Sequence, residues 1–214
     1  GLGNLLLHAG VQLKTEDMPQ KVALAEAFVV PAPKVAPAEA PVQRLAVGAV
    51  APDFEGQDLA GKPVKLSDYK GKIVVLEWFN PDCPTCDRIY SKGGPLTEVP
   101  ERLKKDGVVW LAVNSDGATA KEVDKNKDFL KEKKVSVPVL LDPTGKTGKA
   151  YGAKSTPHCF VIDEKGVLRY QGALDNAPSG KPKEGEALVN YVEKAVGALK
   201  AAKPVTTSET KSYG

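Results

Sequence analysis

The spacing of apolar and polar positions after residue 50 predicts an α/β domain. Continuous apolar runs predict buried strands at 73–79, 108–113, 139–141, 159–162 and 167–170. Helical spacing or helical composition predicts helices at 83–91, 96–105, 121–133 and 188–199. The last two strands are joined by a short turn at 163–166. Because helices alternate with strands before a closing hairpin, the pattern predicts a mixed sheet with helices on both faces.

Residues 1–46 differ in composition from the rest of the chain. A proline recurs every few positions between Pro31 and Pro41, which favours extended backbone and excludes both a helix and a central strand. We expect 1–46 to be a solvated linker or an arm that docks onto a partner. The predicted domain then covers 47–202, and residues 203–214 are expected to form a flexible tail.

Composition and charge argue against binding to nucleic acid and against a membrane-spanning segment. A chain of 214 residues, 42% of them hydrophobic, is long enough for one domain with a core and an extension. The net charge of +3 is spread without a block of one sign, so nothing indicates binding to nucleic acid. No segment approaches the roughly 20 apolar residues of a membrane-spanning helix. The sequence therefore predicts no nucleic-acid partner and no transmembrane segment.

Two cysteines stand where a predicted strand ends and a helix begins. Pro84 suits the first position of a helix, so Cys83 falls at the N-cap, with Cys86 one turn further on. At an N-cap, unpaired N–H groups and the helix dipole favour a thiolate, and the pKa of a cysteine can fall from about 8.5 to about 3.5–7.5. A nucleophilic sulfur beside a second sulfur is the minimum requirement for thiol-disulfide exchange.

A metal or purely structural role for the cysteines is the alternative. A four-ligand zinc site would need further partners, and attachment of a c-type haem would need a histidine where Asp87 stands. Cys83, Cys86 and Cys159 do not form a framework of paired disulfides. The sequence therefore favours redox chemistry, with no metal and no cofactor beyond a Cys83–Cys86 disulfide.

Four motifs taken together resemble the thioredoxin superfamily. They are APDF at 51–54, LSDYKGK at 66–72, the CPTC pair at 83–86 and STP at 155–157. The resemblance covers about residues 47–200 and is greatest to the redoxin branch, which includes alkyl-hydroperoxide-reductase-like proteins and extracytoplasmic thiol-disulfide oxidoreductases. It implies a thioredoxin-like three-layer α/β fold with a central mixed sheet, preceded here by the Pro/Ala-rich extension. It also implies that Cys83 attacks protein disulfides and that Cys86 resolves the mixed disulfide.

The resemblance implies roles for the residues around the pair as well. Glu77 matches a buried acid that exchanges a proton with the resolving cysteine, and the alternative is a carboxylate that reaches solvent or a lysine. Pro157 matches a cis-proline, and Thr156 before it would pair with an extended substrate; the alternative is an ordinary turn proline. Trp78 and Pro84, which flank the predicted site, are further candidates for substrate binding.

His158 and Cys159 are candidate modulators, because they follow Pro157 directly. His158 would raise the thiolate fraction of Cys83, join a metal site or simply be a solvated strand residue. Cys159 begins an apolar strand, so a small buried side chain is favoured over a third redox thiol.

Two other functions and the location stay open. A peroxidase would use Cys83 as its peroxidatic thiol, but Asn80 stands where peroxiredoxins carry a threonine. An accessory subunit would dock onto a larger complex through 1–46. Because the chain starts at Gly1 and an Ala/Pro/Val-rich segment precedes the domain, we expect an extracytoplasmic location, in the periplasm or at the outer face of a membrane, with the cytoplasm as the alternative.

Overall fold

The computed structural model describes residues 45–214, and the structural statements below concern that part of the chain. The predicted linker or arm at 1–46 lies outside the described residues except for its last two positions. Within the described part, no helix is both long enough and apolar enough to cross a membrane.

A mixed sheet forms the centre of the described residues. Its strands are β1 (Glu55–Gln57), β2 (Pro63–Lys65), β3 (Val74–Trp78), β4 (Val109–Asn114), β5 (Val139–Leu141), β6 (Cys159–Ile162) and β7 (Leu168–Gly172). The order across the sheet is β2-β1-β5-β4-β3-β6-β7. β4 is parallel to β3 and β5, whereas β6 is antiparallel to β3 and β7. The predicted mixed sheet is therefore confirmed, with β3 near its centre.

Five α-helices accompany the sheet in the described residues. They are α1 (Pro84–Tyr90), α2 (Val99–Lys105), α3 (Val123–Lys133), α4 (Lys146–Tyr151) and α5 (Tyr191–Lys200). The sequence pattern did not predict α4, which is a single short element. α5 begins later than the pattern predicts, because Asn190 caps it by accepting a hydrogen bond from the Glu193 N–H at 3.0 Å.

Apolar layers cover both faces of the sheet and fix β3 from two sides. Val75 belongs to the layer that includes Ile89 of α1 and Phe129 of α3. Val74 and Leu76 point the other way, into a layer with residues of α4 and β6. Each residue of β3 is buried, so the end of this strand is held rigidly where the cysteine pair begins.

The structure differs from the expected flexible tail at residues 203–214. The Gln171 N–H donates to the Ser208 carbonyl at 3.0 Å, and the Thr210 N–H donates to the Gln171 carbonyl at 3.1 Å. Residues 208–210 of this segment therefore lie along the outer edge of β7. Its polar sequence carries no apolar pattern, but backbone hydrogen bonds to an edge strand do not require one. The Thr210 hydroxyl adds a side-chain contact by accepting from the Ala173 N–H at 2.9 Å.

Gly94 offers a test of the packing around α1. A Cβ at this position would lie 2.3 Å from the Ile89 carbonyl oxygen and 2.8 Å from that of Arg88. These are backbone atoms of the helix that carries Cys86, so neither moves cheaply. We expect Gly94→Ala to lower the free energy of unfolding by about 2–3 kcal/mol, measured by urea denaturation.

Gly117→Ala is the matched control, because the nearest atom to its added Cβ would be the Pro143 carbonyl oxygen at 3.9 Å. We expect this variant to change the free energy of unfolding by less than about 0.5 kcal/mol. Equal stability of the two variants would show that the close approach at Gly94 carries no energetic weight.

Candidate active site

The cysteine pair lies just beyond the end of β3, at the start of α1. Cys83 is the N-cap residue with extended backbone, φ −81° and ψ 121°, and Pro84 occupies the first turn. The Asp87 N–H donates to the Cys83 carbonyl at 2.9 Å, which closes the first helical turn. Both cysteines are free thiols; Cys83 is partly exposed and Cys86 is buried. Only Cys83 can therefore meet a partner first.

The pKa values of the two thiols are shifted in opposite directions. The pKa of Cys83 is lowered to about 5, chiefly by the hydrogen bond from the Cys86 thiol. Burial opposes this shift, whereas Thr156 and the N–H groups of Cys86 and Thr85 contribute to it. The same bond to Cys83, together with burial and the nearby Glu77, raises the pKa of Cys86 far above its usual value. At neutral pH the arrangement is thus a Cys83 thiolate held by a Cys86 thiol.

Glu77 lies behind the pair with its side chain entirely buried. The Tyr90 hydroxyl donates to Oε2 at 2.5 Å, while Oε1 has no hydrogen-bond partner among the described residues. Burial raises the pKa of Glu77 to about 8; the Tyr90 bond lowers it and the charge of Cys83 raises it. The alternative of a carboxylate that reaches solvent is therefore wrong.

Tyr90 is a site residue that the sequence analysis missed. It follows Cys86 by four residues on α1, and this spacing places both side chains on the same face of the helix. That spacing was the signal that would have identified it. Its hydroxyl is the hydrogen-bond donor that partly compensates the burial of Glu77.

The loop before β6 forms the other side of the site. The peptide bond between Thr156 and Pro157 is cis. When protonated, the Cys83 thiol donates to the Thr156 carbonyl oxygen at 3.0 Å. Pro157 is buried and Thr156 is half-buried. The structure therefore brings Thr156 into direct contact with the more acidic thiol.

The two other candidates for substrate binding lie in different environments. Pro84 is exposed beside Cys83. Trp78 is only 3% exposed, and its indole N–H donates to the Ser115 hydroxyl at 3.0 Å. Ser115 in turn donates to Asp142 at 2.6 Å. The ring of Trp78 packs against Tyr151 and Phe160, and the little surface that it exposes lines a cavity shared with Thr156. Its role in substrate binding stays a prediction.

His158 and Cys159 are both buried. His158 is 7% exposed, with its ring 4.4 Å from that of Phe160, and its Nδ1 accepts from the Lys154 N–H at 3.3 Å. The interpretation of His158 as a solvated strand residue is therefore wrong, because the aromatic packing removes it from water. Cys159 is fully buried and lies opposite Glu77 in the β3–β6 pairing. No cluster of three or more potential metal ligands occurs among residues 45–214.

Comparison with known proteins agrees with this geometry. Residues 47–171, more than half of the chain, match the AhpC/TSA family. The chain belongs to the AhpC/TSA family. It is 32% identical over 127 residues to the thiol-disulfide oxidoreductase ResA of Bacillus thuringiensis, which covers 59% of this chain and 69% of that protein. It is also 30% identical over 135 residues to the chloroplastic peroxiredoxin Q of Triticum aestivum, which covers 58% of that protein.

The fold of this AhpC/TSA member is also similar to those of solved structures. A hypothetical protein from Sinorhizobium meliloti has a TM-score of 0.68 and 25% identity, covering 80% of this chain and 93% of the other. A putative thiol:disulfide interchange protein DsbE from Chlorobium tepidum has a TM-score of 0.50 and 32% identity. The match covers 59% of this chain and 84% of the other. The predicted thioredoxin-like fold is confirmed, and the protein is an oxidoreductase of the thiol-disulfide class.

The buried carboxyl of this AhpC/TSA protein makes its stability depend on pH. Glu77 keeps its proton in the folded, reduced protein up to about pH 8, whereas the unfolded chain loses it near pH 4.5. Raising the pH through this interval therefore favours unfolding. Relative to Glu77→Gln, the free energy of unfolding of the wild type should fall by about 1.4 kcal/mol per pH unit across the interval.

Urea denaturation of the reduced proteins between pH 4 and pH 9 measures this difference, in which the other titrations cancel. Glu164→Gln is the control, because its carboxyl group is exposed. A wild type and Glu77→Gln variant whose stabilities run parallel with pH would show that Glu77 does not hold a proton in the fold.

Proposed function

We propose that the protein exchanges disulfides with protein substrates by cycling Cys83 and Cys86 between the dithiol and the disulfide. The observation that carries the proposal is the contact between a partly exposed thiol of low pKa and a buried thiol of high pKa. The Cys-Pro-Thr-Cys motif supplies both sulfurs, so the cycle needs no cofactor beyond the pair itself.

The chemistry follows from these positions. The Cys83 thiolate attacks one sulfur of the substrate disulfide; that S–S bond breaks, and the other sulfur leaves as a thiolate. Glu77 then accepts the proton of Cys86, and the Cys86 thiolate attacks the Cys83 sulfur. The second substrate sulfur leaves as a thiolate, so two electrons pass to the substrate and a Cys83–Cys86 disulfide forms. The same groups act in reverse order when the protein oxidises a dithiol.

The charge on Cys83 controls when Glu77 can accept the proton of Cys86. The negative charge of Cys83 is one of the groups that raise the pKa of Glu77. Once Cys83 is bound in a mixed disulfide, that charge is gone and the pKa of Glu77 falls. A larger fraction of Glu77 is then ionised at the moment when Cys86 has to lose its proton.

The peroxidase alternative has weaker support. Asn80 occupies the position where peroxiredoxins carry threonine, and its Oδ1 accepts from the Asp82 N–H at 2.9 Å and from the Thr119 hydroxyl at 3.3 Å. The side-chain oxygen of Asn80 is thus occupied by its own loop and by Thr119. The accessory-subunit alternative depends on residues 1–46, which lie almost wholly outside the described residues.

An extracytoplasmic location is part of the same proposal. Disulfides persist as substrates chiefly in oxidising compartments outside the cytoplasm. The Pro/Ala-rich composition of residues 31–41 favours an extended linker ahead of the domain.

Two single variants test the proposed cycle. Cys83→Ser removes the attacking sulfur and should lower turnover of a protein disulfide by at least about a thousandfold. Cys86→Ser leaves the attack intact but removes resolution, so it should accumulate mixed disulfides, detected by non-reducing electrophoresis and mass spectrometry. Repeating the trap in Cys86→Ser/Cys159→Ala locates the bond at Cys83. Turnover at the wild-type rate in both single variants would overturn the proposal.

A further inference from the structure

The segment at 208–214 reaches from the edge of the sheet to the active site. It starts beside β7 and continues to Tyr213, whose hydroxyl donates to Asp175 Oδ1 at 2.5 Å. It then brings Gly214 against the loop before β6. A Cβ on Gly214 would lie 2.2 Å from the Thr156 carbonyl oxygen and 3.2 Å from the Pro157 nitrogen. Gly214 therefore approaches this loop more closely than a residue with a side chain could.

The carbonyl that Gly214 touches is the one that contacts the nucleophile. The Thr156 carbonyl oxygen lies 3.0 Å from the Cys83 sulfur. The backbone beside it is consequently shared between the reactive sulfur and the 208–214 segment. An extended substrate that pairs with Thr156 and the segment at Gly214 would compete for the same surface.

The 208–214 segment is held on β7 by close contacts around Thr210. Gly172 has a φ of +148°, and a Cβ there would lie 2.2 Å from the Thr210 hydroxyl and 2.5 Å from the Thr210 carbonyl oxygen. The Thr210 hydroxyl lies 2.6 Å from the Tyr170 hydroxyl and accepts from the Ala173 N–H. A glycine at this point of β7 is what permits the close approach.

We propose that residues 208–214 determine which substrates reach Cys83. They occupy the backbone surface at Thr156 that an extended protein substrate requires, so such a substrate must first displace them. A small disulfide needs only the partly exposed sulfur and reacts without displacing the segment. This inference rests on the proposed exchange reaction with protein substrates.

The competition has a defined consequence for kinetics. A substrate that binds only when the segment is released has its apparent affinity reduced by the fraction of molecules in the released state. The segment is held by a few hydrogen bonds at an edge, and Lys211 and Gly214 are exposed. Such a segment opens locally far more readily than the central strands.

Kinetics with two substrates measures the effect. The substrates are the disulfides of insulin, as a protein, and bis(2-hydroxyethyl) disulfide, as a small molecule. Dithiothreitol returns the Cys83–Cys86 disulfide to the dithiol after each turnover, and its direct reaction with each substrate is subtracted. Deletion of 208–214 should raise kcat/KM for insulin about three- to tenfold and leave kcat/KM for the small disulfide unchanged. Gly214→Ala, whose Cβ meets the Thr156 carbonyl, should act in the same direction with a smaller effect. Lys211→Ala, at an exposed position of the same segment, should match the wild type.

An unchanged ratio of the two kcat/KM values in both the deletion variant and Gly214→Ala would overturn the inference. So would a parallel loss with both substrates, which would give the segment a structural role only. If the wild type reduces neither substrate, the proposed exchange reaction fails, and a second measurement still decides whether an extended peptide displaces the segment.

That measurement uses Cys86→Ser carrying a chemically formed mixed disulfide at Cys83. One sample carries an extended cysteine-containing peptide and the other carries 2-mercaptoethanol. In the peptide adduct, the amide resonances of Tyr213 and Gly214 should move to random-coil positions in NMR spectra, whereas the small adduct should keep the docked positions. Docked resonances in both adducts would overturn the inference.

Discussion

The burial of the Glu77 carboxyl group is the constraint on which the rest of the site depends. β3 is covered on both faces, so a charged residue at this position has no route to water. The Tyr90 hydroxyl is its hydrogen-bond donor in the described residues, and one carboxyl oxygen has no partner there. An ionised carboxylate is costly in such surroundings. Keeping this titratable group behind the cysteines therefore lowers the free energy of unfolding at neutral pH, because the carboxyl group must take up a proton when the chain folds.

The same constraint explains the difference between the two thiols. Cys86 is buried near Glu77, and a second negative charge there would be unfavourable, so the proton stays on Cys86. Cys83 lies at the N-cap, where the helix N–H groups and the Cys86 thiol stabilise its thiolate. One negative charge is thus placed on the sulfur that is accessible to a partner, and the protonated groups stay inside.

The parts of the structure that followed from the sequence are those in which local signals agree. The apolar run of β3, Pro84 at the first turn and the cysteine spacing all predict one strand–helix junction. The surroundings of Trp78 were not predictable, because its indole N–H bonds to Ser115, which follows a different strand. His158 packs against Phe160, only two residues further along the chain, but the sequence did not show that this face of the strand is covered. Likewise α4 is too short to show a periodic pattern of apolar residues. The 208–214 segment is held by backbone hydrogen bonds, which do not depend on the hydropathy of its side chains.

The seating of 208–214 also bears on a general problem of open sheets. β7 is an edge strand, and an uncovered edge exposes backbone groups that pair with other chains. Here the chain covers part of that edge itself, through Ser208 and Thr210. Because the covering segment continues to Thr156, protection of the edge and access to Cys83 are physically linked. A partner strand that takes over the surface at Thr156 therefore also loosens the end of the segment that shields the sheet.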